Sequence, residues 1–251
     1  MKAVTAIGRL LHALVHALSG WWIIARHFRR LTPDQRHVHV QVWATRMLKV
    51  LGITLRVEGS PVAHGPVLLV SNHISWLDIL VMHAARHCRF VSKSEVKHWP
   101  LIGTLATAAG TLYIERESRR DAMRVVHHMA DSLRAGDVLA VFPEGTTSDG
   151  VTLLPFHANL IQAAISADAP VQPVALQFQD AASGQTSLAP CYIGDDTLLG
   201  SLWRTLTAPP ITAVVRYGEP QRSGGRSRRA WAADLQQDVQ QLRLPDRSPT
   251  A

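Results

Sequence analysis

The stretch Val67-Leu-Leu-Val-Ser-Asn-His-Ile-Ser-Trp-Leu-Asp78 decides how this chain is read. Val67 to Ser71 is an apolar, β-branched run of the length of a buried strand, and the apolar residues that follow recur at helical spacing and carry Asp78. Asn72-His73 therefore sits where a strand hands over to a helix. In an open parallel sheet, that carboxyl edge is where ligands bind. The five-residue offset from His73 to Asp78 is about 500° around an ideal helix, so the two side chains cannot share a helical face. His73 must precede the helix or sit at its first turn, with Asp78 reaching back to one imidazole nitrogen. Such a contact fixes the tautomer and stabilises the imidazolium that forms when the other nitrogen takes a proton. On this stretch alone, a histidine capping a helix beside a solvated aspartate competes with a catalytic pair, because a single His/Asp spacing is a weak motif.

Outward from this stretch, strand and helix patterns alternate. Strands are predicted over Thr54 to Glu58, Val67 to Ser71, Cys88 to Ser92, Thr111 to Glu115, Val138 to Phe142, Val171 to Phe178 and Thr212 to Tyr217. Helical patterns lie near Trp76 to Arg86, Trp99 to Ala109, Arg119 to Arg134 and Ala158 to Ala167. The alternation predicts an α/β fold with a mainly parallel sheet flanked by helices. Asn72-His73, Glu115-Arg116 and Pro143-Glu144-Gly145 each end a different predicted strand, so a parallel sheet brings all three to one edge.

The N-terminus has a different character. Between Arg9 and Arg26 lie only 16 residues, His12 and His16 among them, which is short for a membrane span of about 20 apolar residues. At helical spacing Arg9, His12, His16, Ser19, Arg26 and Arg30 form a polar stripe broken by Ile23, while Leu11, Leu14, Leu18, Trp21 and Trp22 lie on the other faces. This is an amphipathic helix with tryptophans suited to the headgroup level, favouring an interfacial or partly inserted helix over a full span. Packing on the folded domain is compatible with either. There is no small-residue cleavage site of the secretory kind. Thr32-Pro33-Asp34 reads as the start of a second helix that runs to Leu51 and stops at Gly52. Residues 1–52 thus form an N-terminal membrane-associating helical pair and 53–220 the α/β domain. Residues 221–251 form a basic link, a short helix from Ala230 to Leu242 and a flexible tail.

Charge follows the same division. Residues 1–56 hold nine Lys/Arg against the single acid Asp34, residues 57–220 hold eleven against fifteen acids, and residues 221–251 hold six against three. A nucleic-acid-binding core would wear its basic stripe on the folded domain, so nucleic acid is excluded as a partner and an anionic lipid surface met by the N-terminal region is expected. Two cysteines give neither a disulfide framework nor paired metal spacing, which points to a reducing compartment. His12/His16 has helical ligand spacing but no third ligand within reach, so no metal is expected. Gly145-x4-Gly150 lacks the lysine of a phosphate-cradling loop, and no Gly-x-Ser-x-Gly elbow occurs.

Asn72-His73-x4-Asp78 resembles the first motif block of the glycerolipid acyltransferases, whose best-known members act on 1-acyl-sn-glycerol-3-phosphate. Gly110-Thr-Leu-Tyr-Ile-Glu-Arg116, Phe142-Pro-Glu-Gly-Thr-Thr-Ser148 and Ala169-Pro-Val-Gln-Pro-Val174 resemble the later blocks in order, over about residues 65 to 180. The resemblance implies O-acyl transfer in phospholipid biosynthesis at the cytoplasmic face of the cell membrane, by a peripheral or monotopic protein. No cofactor is required; acyl-coenzyme A or acyl carrier protein is the donor substrate, the latter then also a partner. In this scheme His73 deprotonates the hydroxyl of lysophosphatidate as it attacks the thioester, with Asp78 orienting the ring. Arg116 is the candidate phosphate ligand, since its planar fork suits phosphate oxygens, although an ion pair with Glu115, Glu117 or Asp121 competes. The resemblance implies that Glu144 and Gly145 help bind the acceptor, and Asn72 and Thr146 of the same blocks join the substrate-binding set. The family usually has arginine at the position of Thr147, and often lysine and glycine at those of His157 and Asn159. Lys93 could supply the missing cation; otherwise the acceptor carries another headgroup, such as that of a lyso-aminolipid. A non-enzymatic membrane-binding protein would keep the N-terminus but have no reason to place His73, Asp78, Arg116 and Glu144 at strand ends.

Overall fold

The computed structural model describes residues 2–114 and 119–244. Helices α1 (Lys2–His27) and α2 (Pro33–Leu51) precede β1 (Ile53–Glu58), β2 (Val67–Ser71), α3 (Leu77–Ala85), β3 (Arg89–Lys93), α4 (Ile102–Ala108) and β4 (Leu112–Ile114). There follow α5 (Arg119–Arg134), β5 (Val138–Val141), α6 (Ile161–Ala167), β6 (Val171–Asp180), α7 (Leu198–Thr207), β7 (Ile211–Tyr217) and α8 (Arg228–Arg243). The strands make one seven-stranded sheet in the order β1-β7-β6-β2-β5-β3-β4. From β6 to β4 all neighbours are parallel, β7 pairs antiparallel with β6, and β1 follows β7 in parallel.

Two cores explain the unbroken apolar strands. Along β2, Val67 and Leu69 point into one core with Leu48 of α2 and Leu77, Val81 and Met82 of α3. Leu68 and Val70 point into the other, with Met129 and Leu133 of α5, Ile161 of α6 and Trp231 and Leu235 of α8. A strand covered on both faces has no reason to alternate in polarity. Each buried leucine here contributes on the order of 1.5–3 kcal/mol.

The helix ends follow local chemistry. Thr32 Oγ1 accepts from Gln35 N at 3.3 Å while Gln35 Oε1 accepts from Thr32 N at 3.0 Å, and Gly52 ends α2 at φ 77°. That reciprocal cap is worth about 1 kcal/mol. Helices α4, α6 and α7 depart from the sequence expectation, α6 beginning at Ile161 rather than Ala158. Helix α4 starts at Ile102 rather than Trp99, because Leu101 takes φ 64° at the centre of a γ-turn in which Ile102 N donates to Pro100 O at 2.7 Å. Helix α7 lies in a stretch with no helical expectation; Thr197 caps it by accepting from Gly200 N.

The stretch read as a flexible basic link is held in place. Gln221 bridges to Val171 of β6, and Arg226 donates to Asp234 of α8 and to Gln221 at 2.8 and 2.7 Å. Helix α8 then buries Trp231, Leu235 and Val239 completely, so residues 221–244 complete the second core rather than trail from it. The expected flexible tail falls on residues 245–251, outside the described residues.

Helix α1 docks by its small and polar side. Ala6 and Ala13 are buried, His16 stacks on Trp43 of α2 at 5.2 Å, and His16 Nε2 hydrogen-bonds Trp43 O at 3.0 Å. Gly20 lets the helices close: a Cβ there would lie 2.6 Å from the Trp43 indole nitrogen. The opposite side presents Val4, Ile7, Leu11, Leu14, Leu18 and Trp22 to solvent. Half of the polar stripe of α1 therefore faces protein, and the apolar stripe faces outward.

Candidate active site

Four adjacent parallel strands deliver the motif residues to one edge. In the order β2, β5, β3, β4 their carboxyl ends lead to Asn72-His73, Pro143-Glu144-Gly145 and Lys93, and β4 ends at Ile114. Glu115 and Arg116, the block that follows in the chain, lie outside the described residues. Lys93 is exposed and stands opposite Ile114 in the β3/β4 register, so it shares this edge.

His73 and Asp78 meet as their spacing requires. His73 precedes α3, Asp78 sits in its first turn, and Asp78 Oδ2 lies 2.7 Å from His73 Nδ1. The same oxygen accepts from Ile74 N at 2.6 Å and Ser75 N at 2.9 Å. Asp78 is fully buried and His73 is 21% exposed by side chain. The aspartate thus fixes the turn that leads into α3 and pins the imidazole in one stroke, and with Nδ1–H given to Asp78 the free lone pair lies on Nε2. The ring is further held by stacking on Phe142, 4.0 Å between centroids and 6° between planes, with Phe90 behind it at 5.6 Å.

Glu144 holds the backbone of the histidine. Its Oε1 accepts from His73 N at 2.6 Å and its Oε2 from Leu154 N at 2.9 Å, with the residue 3% exposed. Burial pushes its carboxyl above the usual range, while the two amides and the charges of His73 and Arg243 pull it back. On the other side of His73, Ser148 donates to His73 O through N at 2.8 Å and Oγ at 3.2 Å. The loop 142–154 consequently grips His73 at both its N–H and its C=O.

The other predicted residues divide. Asn72 is buried and closes an amide pair with Leu176 of β6, donating to its O at 3.0 Å and accepting from its N at 2.8 Å. That makes it a strut between β2 and β6, and both of its side-chain groups are spent on backbone. Gly145 and Thr146 are exposed at the site edge. Gly145 needs glycine because φ is 74° and a Cβ would come within 3.2 Å of the His157 ring. Thr147 points its hydroxyl at Tyr192 O, an anchor in the segment before α7. Tyr192 N in turn donates to Ile74 O at 3.1 Å. Phe142 and Ser148 lie within a recognisable block and Leu154 beside it, but nothing in their identities signals that the first two hold His73 and the third holds Glu144. Nor does anything in the sequence signal that Arg243 reaches Gly150 and Val151 of this loop.

A half-buried, tautomer-fixed histidine with one free nitrogen at a sheet edge is equipped for proton transfer to or from a substrate held outside the strands. Comparison with known proteins gives that chemistry a family. The Acyltransferase family profile matches residues 54–177. The chain is 38% identical over 208 residues to the lyso-ornithine lipid O-acyltransferase of Pseudomonas aeruginosa, covering 83% of this chain and 79% of that protein. It is also 38% identical over 187 residues to the 1-acyl-sn-glycerol-3-phosphate acyltransferase of Neisseria meningitidis serogroup B, covering 74% and 72%. The chain belongs to the glycerolipid acyltransferase family. Among solved structures, the acyltransferase shares its fold with the 1-acyl-sn-glycerophosphate acyltransferase PlsC of Thermotoga maritima, at TM-score 0.66 and 19% identity over 94% of this chain and 98% of that one. The family match runs from β1 into β6, so α1, α2, α7, β7 and α8 lie outside it.

Proposed function

We propose that this acyltransferase moves a fatty acyl group from an acyl thioester, either acyl-coenzyme A or acyl carrier protein, to the free hydroxyl of a lyso-lipid, with His73 as general base. The observation that carries the reading is the 2.7 Å contact of Asp78 Oδ2 with His73 Nδ1, on a ring whose Nε2 is left free at the strand ends. The acceptor oxygen attacks the thioester carbonyl carbon as its proton passes to Nε2. The tetrahedral oxyanion then collapses, the C–S bond breaks, and the imidazolium returns the proton to the departing sulfur. No serine or cysteine nucleophile is required, and Cys88 and Cys191 are both buried.

Motif order supports lysophosphatidate as the acceptor, with Arg116 and Lys93 as its cations. Thr147 favours a second acceptor, a lyso-ornithine lipid. A phosphomonoester near two negative charges calls for paired cations, yet the Thr147 position holds a hydroxyl already given to Tyr192 O. An ornithine headgroup offers a single carboxylate, which one guanidinium satisfies. The test is a panel of lysophosphatidate and lyso-ornithine lipid with acyl-coenzyme A and acyl carrier protein as donors, run on wild type and Thr147→Arg. With lysophosphatidate as acceptor the variant holds or lowers its KM. With lyso-ornithine lipid, turnover falls by about tenfold through crowding and an unpaired charge. Failure to acylate either lipid would overturn the reading.

We propose further that the enzyme works at the cytoplasmic face of the cell membrane, seated peripherally or monotopically by α1. The outward apolar stripe of α1 and the Arg26, Arg29 and Arg30 collar at its end support this. The helical run Ala3–Arg30 is also long and apolar enough to cross a membrane by length and composition.

A further inference from the structure

The geometry points to Arg243, at the end of α8 and far in sequence from every motif block, as a positioning residue that sets the loop gripping His73. It rests on the reading of His73 as the base. The Arg243 side chain turns back under the site: its Nη2 donates to Gly150 O and, at 2.9 Å, to Val151 O, and its Nη1 donates to Gln240 Oε1 at 2.9 Å. Only 6% of the residue is exposed. A buried guanidinium whose Nη2 serves two main-chain carbonyls of one loop, while its Nε finds no partner among the described residues, is an expensive arrangement unless the loop geometry depends on it.

The loop it holds is the one that reaches the histidine. Gly150 sits at φ 72° against Ile74, where a Cβ would come within 2.9 Å of Ile74 Cδ1. Ile74 is the residue after His73. Four residues past Gly150, Leu154 N donates to Glu144 Oε2, and Glu144 Oε1 receives His73 N. Gln236 of α8 adds a bond to Leu154 O at 3.2 Å. Helix α8 thus ties down both ends of 150–154, and through Glu144 and Ile74 it fixes where His73 stands. Charge acts in the same direction. Glu144 is a buried carboxyl raised by desolvation, and the charges facing it are His73 and Arg243, with the His157 ring lying against the neighbouring Gly145. Arg243 favours the ionised carboxylate, which accepts both amides.

The test is kinetic, on the full-length enzyme, with acyl-coenzyme A and whichever of lysophosphatidate and lyso-ornithine lipid the wild type acylates. Arg243→Met is expected to lower kcat at least tenfold with acceptor KM within about twofold, and Arg243→Lys to recover most of it. Hydrogen exchange in the peptide spanning 144–156 should quicken in Arg243→Met. Leu235→Ala is the control for mere loss of α8 packing, since Leu235 is buried in the same core but makes no contact with the loop through a polar group. At temperatures where both variants are folded, Leu235→Ala should keep kcat and wild-type exchange in 144–156. Full kcat in Arg243→Met, or equal losses of kcat and loop protection in the two variants, would overturn the assignment. His73→Ala run alongside separates the cases: turnover surviving that change sinks the general-base reading whatever Arg243 does.

Discussion

His73 is committed on every side but one: Asp78 takes Nδ1, Phe142 covers a face, Glu144 takes the amide and Ser148 the carbonyl. Removal of the imidazole should therefore cost chemistry and little structure, because His73 belongs to neither apolar core. His73→Ala is expected to lose about 10²- to 10⁴-fold in kcat, the usual worth of a positioned base, with a thermal midpoint close to wild type. Asp78→Asn should behave differently. Asp78 Oδ2 serves the imidazole and two backbone amides together, so the change disturbs tautomer, charge and the start of α3 at once. A loss of roughly 10²-fold in kcat accompanied by about 1–3 kcal/mol in unfolding free energy is expected. A variant as stable as wild type would show that the amide bonds matter less than their 2.6 and 2.9 Å lengths suggest. The pairing was legible from the five-residue offset, but the double duty of Asp78 was not, because it depends on where the backbone turns after Asn72.

At the scale of the element, α1 is the instructive case. Its composition announces amphipathy, yet which stripe meets the protein is settled by neighbours: Trp43 supplies a carbonyl and a ring for His16, and Gly20 permits the close crossing. What remains outward is a hydrocarbon face bounded by arginines. Binding to anionic vesicles should accordingly have two separable parts. Co-sedimentation should weaken as salt rises from about 0.1 to 1 M, where the screening length shrinks from about 10 to 3 Å. Leu11→Asp with Leu18→Asp should abolish it at any salt while circular dichroism and thermal midpoint hold, since both positions are exposed. Binding that survives the double change would put the membrane contact on another surface. Helix α8 makes the same point in reverse: the glycine- and arginine-rich 221–230 reads as a link, and only the bonds from Arg226 and the seat of Trp231 reveal that it is anchored.

For the whole molecule, stability should carry the signature of buried histidines between α2 and the sheet. His83 is buried beside Phe90 and His87, and burial lowers it to about 4; His87, stacked on His37 of α2, is lowered by burial and by its histidine neighbours to about 3. The unfolded chain protonates these rings near 6.5, so between that value and about 4 it binds protons that the folded protein refuses. Stability is therefore lost as pH falls through that window, by up to about 1.4 kcal/mol per pH unit for each histidine. Urea unfolding at pH 6.5 and 4.5 should show the drop, and His83→Leu should flatten it; an unchanged slope would assign the acid sensitivity elsewhere. The sequence by itself determined what depends on near neighbours: the strand and helix periods, the Thr32 cap and Gly52 stop of α2, the His73/Asp78 offset, and the parallel run of strands that gathers the motif ends. Only the tertiary structure decided that β7 runs against β6, that Asn72 and Glu144 spend their polar groups on backbone, that His16 on the polar stripe of α1 turns inward to Trp43, and that Arg243 reaches the loop beneath His73. Period and capping are properties of a few consecutive residues. Strand direction and the partner of a buried polar group depend on which distant segment arrives beside it, and that choice belongs to the packing of the whole chain.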